Sequence, residues 1–319
     1  MKCLKSTLLG VVLGVFSLLV GSCALEALLR LKNRSMTNYD IEMWRYSNEL
    51  KVQHATLGHD HVTSRSTVLQ NVPIRLNSWG IRGAEVGSRA PEERRILFLG
   101  SSITFGWGVK EEDTLTSRLQ TQLSQSGKKV TVLNAGIGNY NSERYVERFF
   151  LKLKDLQPTD VVVHYFLRDA EVLEKGRSNW LLRHSELAVT LWNVWHRLLP
   201  GKDGSIVDHY KKIYAADSPG VTRMHASLVR LAEYAKTQHI RLFLAMTPDV
   251  HNLSSYPFEE IHAQMRAHAD KLGYQYIDLL PSLRGLTPKE VFALPGDPHP
   301  NALGHAKMAA ATYPVLARY

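Results

Sequence analysis

The run Ile96-Leu97-Phe98-Leu99 ends abruptly in Gly100-Ser101-Ser102 and continues through Ile103-Thr104-Phe105-Gly106-Trp107-Gly108-Val109. Large apolar residues that give way to a small-residue turn mark a buried parallel strand with a loop at its carboxyl end. That end is where α/β proteins keep their chemistry, so the turn delivers a small hydroxyl residue to a place where a nucleophile can act. A second segment, Gly296-Asp297-Pro298-His299-Pro300-Asn301, lies near the other end of the chain and offers an acid and a base.

From Arg95 onward, strand and helix signals alternate. Short β-rich runs occur at Ile96–Leu99, Val130–Leu133, Val161–Phe166, Leu242–Met246 and Tyr276–Leu280. Between them, Leu115, Leu119 and Leu123 recur at helical spacing before Gly127, and Tyr145, Phe149, Leu153 and Leu156 do so before Pro158. Leu228, Leu231, Tyr234 and Ala235 repeat likewise, as do Ile261, Met265, His268 and Leu272 before Gly273. A last helix is predicted from Asn301 towards Tyr313. Such alternation predicts a parallel sheet with helices on both faces. The span from Asp169 to Val221 exceeds what a crossover needs and reads as a mostly helical insertion, about 170–221. Its aromatic run Leu187–Leu199 carries Trp192 and Trp195. The insertion is either extra core or a lid over the site.

Ser6 to Leu25 is an uncharged stretch of about twenty residues, preceded by Lys2 and Lys5. At 1.5 Å per residue it matches a bilayer core of about 30 Å. The helical pattern continues through Ala24-Leu25-Glu26-Ala27-Leu28-Leu29-Arg30-Leu31, as an uncleaved anchor would. Val20-Gly21-Ser22-Cys23 is also similar to a bacterial lipobox, with Cys23 as the lipidated residue, and a cleaved signal is a third reading. Under each of the three the rest of the chain is exported, which places residues 32–319 outside the cytoplasm, periplasmic or at the cell surface. Basic residues flank both ends of the span, so charge bias does not set its orientation.

Residues 1–31 therefore read as a membrane anchor or signal segment. Residues 32–94 are polar and turn-rich and read as an extension packed on the main domain, which spans 95–319. The net charge is +9, but residues 1–34 alone hold five basic residues against Glu26. The rest has no dense basic run, which argues against nucleic-acid binding. Both cysteines, Cys3 and Cys23, lie in the N-terminal segment, so no disulfide is predicted within the main domain.

A serine hydroxyl needs a base, a group that orients the base, and donors for the oxyanion. Four blocks over residues 95–319 supply candidates, and together they resemble the GDSL/SGNH hydrolase superfamily. Gly100-Ser101-Ser102-Ile103-Thr104-Phe105-Gly106 is similar to the family's G-D-S-x-T-x-G, with Ser102 at the nucleophile. Asn134-Ala135-Gly136-Ile137-Gly138-Asn139-Tyr140-Asn141 matches the block that supplies a backbone oxyanion donor, either Gly138 or Asn139. Phe166-Leu167-Arg168-Asp169-Ala170-Glu171 stands where the family has an N-D pair. Asp297-Pro298-His299-Pro300-Asn301-Ala302-Leu303-Gly304-His305 resembles the D-x-x-H block in a shortened D-x-H form. The resemblance implies a flavodoxin-like three-layer αβα sandwich of about five parallel strands. It also implies His299 as base, Asp297 as its orienting carboxylate, and an oxyanion hole built from Ser102, Gly138 or Asn139, and Arg168.

Two departures matter. Ser101 replaces an Asp that does no chemistry in the family. Arg168 replaces an Asn that serves as a side-chain oxyanion donor, and losing one such donor costs about 10²–10³ in rate. Arg168 keeps N–H donors and a fixed charge, so it either serves the oxyanion, binds an anionic group, or turns to Asp169 or Glu171.

Other candidates have plainer readings. His305 and His164 read as structural histidines. His59-Asp60-His61 reads as a solvated loop, without a third ligand at metal spacing. Asp249 and His251 follow a strand end at Pro248 and read as a turn that can line the pocket rim. Trp192 and Trp195 read as helix packing, with sugar stacking as the alternative. No metal and no cofactor is implied.

The resemblance implies a serine esterase that hydrolyses O-acyl esters, O-acetyl groups on a carbohydrate foremost. The partners expected are an ester substrate such as an acylated polysaccharide, and the membrane. An acyltransferase, lipase or thioesterase could use the same triad, and a non-catalytic envelope scaffold is the competing class.

Overall fold

The computed structural model describes residues 2–125, 127, 129–173, 180–198 and 205–319. Its centre is a five-stranded parallel sheet: β1 (Arg94–Gly100), β2 (Val130–Asn134), β3 (Asp160–Phe166), β4 (Arg241–Thr247) and β5 (Gln275–Asp278), in the order β2-β1-β3-β4-β5. The strands lie where the apolar runs predict them. β5 stops two residues early because Leu280-Pro281 opens a helical turn, Leu280–Leu283. Every residue of β1 is buried, as a strand covered on both faces must be.

The helices match the sequence periodicities, except that the pattern from Tyr145 to Leu156 is split: the α-helix ends at Leu151, and Leu153–Leu156 is a separate 3-10 turn. α1 (Lys2–Asn33) and α2 (Tyr39–Glu49) precede the sheet. α3 (Leu115–Ser124) joins β1 to β2, and α4 (Ser142–Leu151) leads from β2 to β3. Between β3 and β4 lie α5 (Glu186–Leu198), α6 (Ile206–Ile213) and α7 (Pro219–Thr237). α8 (Glu259–Leu272) connects β4 to β5, and α9 (Ala302–Leu316) closes the chain. α3 packs on α9, while α4 packs on α7 and α7 on α8. Right-handed crossovers require this division, because the β1-to-β2 connection runs across the sheet opposite to the others. The result is the three-layer sandwich expected.

The two edges of the sheet have different tasks. At the amino edge, Asp160 is fully buried between Arg94 (2.8 Å) and Arg241 (2.8 Å), which ties three strands together. At the carboxyl edge the connections from β1 leave towards β2 while those from β3 leave the other way. A crevice opens at that switch point, and Ser102 stands in it.

Residues 32–94 are more ordered than their composition suggests. Besides α2 they form two antiparallel hairpins, Lys51–His54 with Gly58–His61 and Arg65–Leu69 with Val72–Leu76. The second hairpin turns at Gln70-Asn71, both at positive φ (50° and 60°), the handedness a two-residue hairpin turn requires. His59-Asp60-His61 is strand, not solvated loop. Asp60 is held by Arg148 (2.7 Å) and Lys152 (2.6 Å), and His61 bonds the Tyr46 hydroxyl at 2.7 Å. The helical insertion is present as Trp180–His184, α5 and α6, and its residues 174–179 and 199–204 lie outside the described residues. Trp192 and Trp195 are 51% and 62% exposed, so they do not pack into the core as expected.

From Thr7 to Leu25 every residue of α1 is exposed, and the helix is long and apolar enough to cross a membrane. Its end is fastened to the insertion. Glu26 accepts hydrogen bonds from Ser185 Oγ and from the Glu186 and Leu187 N–H groups, capping the first turn of α5.

Candidate active site

The site begins with a glycine that has no room for a side chain. A Cβ on Gly100 would lie 2.0 Å from Thr104 Oγ1 and 2.7 Å from the His164 carbonyl. The bare backbone lets β1 turn at once into the short helix Ser102–Phe105, which places Ser102 at its first position. The Ser102 N–H therefore has no intrahelical acceptor.

The candidate base, His299, arrives from the far end of the chain. Phe292–Leu294 pairs with Asp297–Pro300 in a small antiparallel hairpin, and Asn301 caps α9 through the Leu303 and Gly304 N–H groups. His299 is thus fixed between a strand and a helix start. Its Nδ1 lies 2.5 Å from Asp297 Oδ1, and its backbone N–H donates to the same oxygen at 3.1 Å. With Nδ1 donating to the carboxylate, Nε2 carries the lone pair. That atom is 2.8 Å from Ser102 Oγ.

Asp297 is fully buried, and its second oxygen accepts from Gln70 Nε2 at 2.9 Å. Burial opposes its ionisation, but hydrogen bonds from His299 and Gln70 outweigh burial and hold the carboxyl below its ordinary range. Gln70 belongs to the hairpin turn of the extension, and Glu42 Oε2 fixes its backbone N–H at 2.6 Å. Tyr39 of α2 sits beside the base, ring centroids 6.1 Å apart. Neither residue lies in a recognisable motif. Only the positive-φ turn and the folded extension bring them here.

The cavity in front of Ser102 has a volume of about 410 Å³. Tyr39, Asn139, Tyr140, Phe166, Arg168 and Glu171 line it, with His209 and Tyr210 from α6 and Asp249 and His251 from the loop after β4. Three surface concavities of about 630, 860 and 420 Å³ are larger, but none is lined by Ser102 or His299. Size alone does not mark the reactive site.

The oxyanion candidates separate. The Gly138 N–H donates to the Tyr46 hydroxyl at 2.8 Å, so it is spent within the protein. Asn139 has φ 62° and lines the cavity. Arg168 also lines the cavity, but its Nε and Nη2 are engaged with Glu171 at 3.1 and 2.9 Å. His209 reaches the other Glu171 oxygen at 2.8 Å. Arg168 is therefore one arm of a charged cluster on the cavity wall. Ser101 is buried and makes no contact with His299 like that of Ser102. His305 accepts from the Leu115 N–H, and His164 is bonded on both nitrogens to Thr104 and Thr247. Burial lowers these two imidazoles to about 3 and about 4, which suits neutral structural histidines.

Sheet order, a serine at the switch point and a D-x-H hairpin before the last helix now stand together. This is the arrangement that the sequence resemblance to the GDSL/SGNH hydrolases implies. No family model matches it, and no curated protein matches it. Similar solved structures include the lipase/acylhydrolase from Enterococcus faecalis, at 14% identity and TM-score 0.46, covering 70% of this chain and 96% of that one. A GDSL-like lipase from Bacteroides thetaiotaomicron is 16% identical with TM-score 0.41, covering 73% and 92%. The acetyl xylan esterase AlAXEase is 19% identical with TM-score 0.42, covering 70% and 99%. Gln70, which supports Asp297, and His209, which pairs with Glu171, lie outside the four blocks read in the sequence.

Proposed function

We propose that this chain is a membrane-tethered serine esterase that removes short acyl groups, acetyl above all, from a hydroxyl-rich substrate such as a polysaccharide. The observation that carries the reading is the continuous line Ser102 Oγ, His299 Nε2 and Nδ1, Asp297 Oδ1, at 2.8 and 2.5 Å. His299 takes the Ser102 proton as Oγ attacks the ester carbonyl, and Asp297 stabilises the imidazolium. The Ser102 and Asn139 N–H groups hold the oxyanion, with Arg168 assigned to the substrate wall. Water then releases the acyl group.

The cavity wall supports the short-acyl reading. A long acyl chain needs a deep apolar channel, whereas this cavity mixes Tyr39, Tyr140, Phe166 and Tyr210 with Arg168, Glu171, His209, Asp249 and His251. Aromatic rings and charged donors together suit a sugar. A series of p-nitrophenyl esters tests this: kcat/KM is expected to be highest for acetate and to fall at least about tenfold by octanoate, since each methylene without a pocket forfeits its share of binding. A preference for octanoate would contradict it.

The tether is read from α1 and its neighbour. α5 starts at Glu26 near the end of the apolar helix, and it exposes Leu191, Trp192, Trp195 and Leu198. Such a face beside a membrane span fits the headgroup region, where tryptophan is favoured. In vesicles containing brominated lipid, the reconstituted chain is expected to show quenched tryptophan emission, with much of the quenching lost in the double variant Trp192→Phe/Trp195→Phe. Equal quenching in both would contradict the reading. With α1 read as an export signal as well as a tether, the proposal includes a cavity outside the cytoplasm.

A further inference from the structure

The loop after β4 repeats the local geometry of the proposed acid and base. In Asp249-Val250-His251, Asp249 Oδ1 accepts the His251 backbone N–H at 2.9 Å and Nδ1 at 2.8 Å. In Asp297-Pro298-His299 the same oxygen accepts the same two groups at 3.1 and 2.5 Å. Both aspartates are buried, at 4% and 0% exposure, and both imidazoles border the cavity that holds Ser102. In each dyad Nδ1 faces the carboxylate, which leaves Nε2 for whatever occupies the cavity.

The second dyad is firmly placed. The Asp249 N–H donates to the Tyr256 hydroxyl at 3.2 Å. That hydroxyl is 2.9 Å from His262 Nε2, and His262 Nδ1 is 2.9 Å from Asp278 Oδ1. The His251 ring meets Phe292 edge-on, with centroids 5.6 Å apart. Phe292 pairs with Pro300 in the hairpin that carries His299, so the two dyads are braced against each other. The hydrogen bond to Asp249 raises the proton affinity of His251 above that of an ordinary histidine, against the effect of its partial burial. An ester site with one base needs no such second group.

We propose that His251, oriented by Asp249, is a second acid–base residue of this site and serves the alcohol side of the ester. The proposal rests on the reading of Ser102 as nucleophile. Ser102 Oγ bonds to the acyl carbon and its proton goes to His299 Nε2. The carbon–oxygen bond to the alcohol breaks, and the departing oxygen takes the proton of His251 Nε2. Water, or an acceptor hydroxyl, then attacks the acyl carbon and gives its proton back to His251. Ser102 Oγ leaves with the proton kept on His299, and both histidines return to their starting states. The division matters for alcohols that are poor leaving groups, as sugar hydroxyls are. An activated phenol departs without help.

Two acetates assayed with the full-length protein separate the steps, since ethyl acetate and p-nitrophenyl acetate share the acyl group and differ in the alcohol. kcat/KM reports only the steps up to departure of the alcohol. In His251→Gln the ratio of kcat/KM for p-nitrophenyl acetate to that for ethyl acetate is expected to rise about 10²-fold, the contribution of one general acid. Asp249→Asn is expected to move the ratio the same way by a smaller factor. Both esters are measured on one preparation, so the ratio does not depend on how much of the variant is folded. An unchanged ratio in both variants would overturn the role of His251, while loss of both activities in Ser102→Ala would leave the esterase reading intact. Wild-type protein that hydrolyses neither ester would overturn the esterase reading and the role of His251 with it.

Discussion

Replacing Ser102 with Ala is expected to lower kcat for p-nitrophenyl acetate by about 10⁴-fold or more, because the covalent route is removed and only the oxyanion donors remain. KM is expected to change little, since the cavity wall is untouched. The neighbouring Ser101→Ala is the control. Ser101 is equally small and equally close in sequence, but the hydrogen bond to His299 Nε2 is made by Ser102. Its replacement is expected to cost less than about tenfold, within the range of a lost neutral hydrogen bond. Steady-state kinetics on both variants check the pair, and a reversed order would move the nucleophile by one residue.

Asp297→Asn is expected to cost about 10³–10⁴ in kcat, for loss of charge more than of shape. Gln70 Oε1 has no hydrogen-bond partner, so the Gln70 amide can reverse and accept from the new Asn side chain. The oxygen facing His299 would stay in place while the charge that stabilises its imidazolium is gone. Gln70→Ala makes the complementary change: the charge stays and one donor is lost. The expected cost near neutral pH is about tenfold or less. The sign of its pH effect comes from the lowered pKa of Asp297. A carboxyl held low contributes in its ionised form above that pKa, and the contribution is lost as pH falls through it. Removing the Gln70 donor raises the pKa, so any Asp297-dependent acid limb of the pH–rate profile is expected to move to higher pH.

What could be read in the sequence was what local chemistry encodes. The five strands were legible because a doubly covered strand is an uninterrupted apolar run, as Ile96 to Leu99 shows. Ser102, Asp297 and His299 were legible because each sits in a short block whose neighbours have geometric duties, such as Gly100 at the turn and Asn301 at the helix cap. Gln70 was not, because its partner Asp297 lies 227 residues away and nothing near Gln70 hints at a carboxylate. The extension looked irregular because its strands are only four or five residues long and several of its buried groups are polar, among them Glu42, Asp60, His61 and Gln70. Gly138 and Asn139 were equivalent until the Tyr46 hydroxyl was seen to occupy one of the two N–H groups. The tryptophans of α5 misled for another reason. Apolar periodicity marks a face that leaves water, but it does not say whether protein or lipid covers it.

The central claim is that Ser102 is an activated nucleophile. Covalent labelling with a serine-directed fluorophosphonate, read by peptide mass spectrometry, tests it most directly. The wild-type chain is expected to carry one phosphonyl group on Ser102, with labelling lost in Ser102→Ala and strongly slowed in Asp297→Asn. A folded wild-type chain that never labels, or a Ser102→Ala chain that labels as fast as the wild type, would contradict the account.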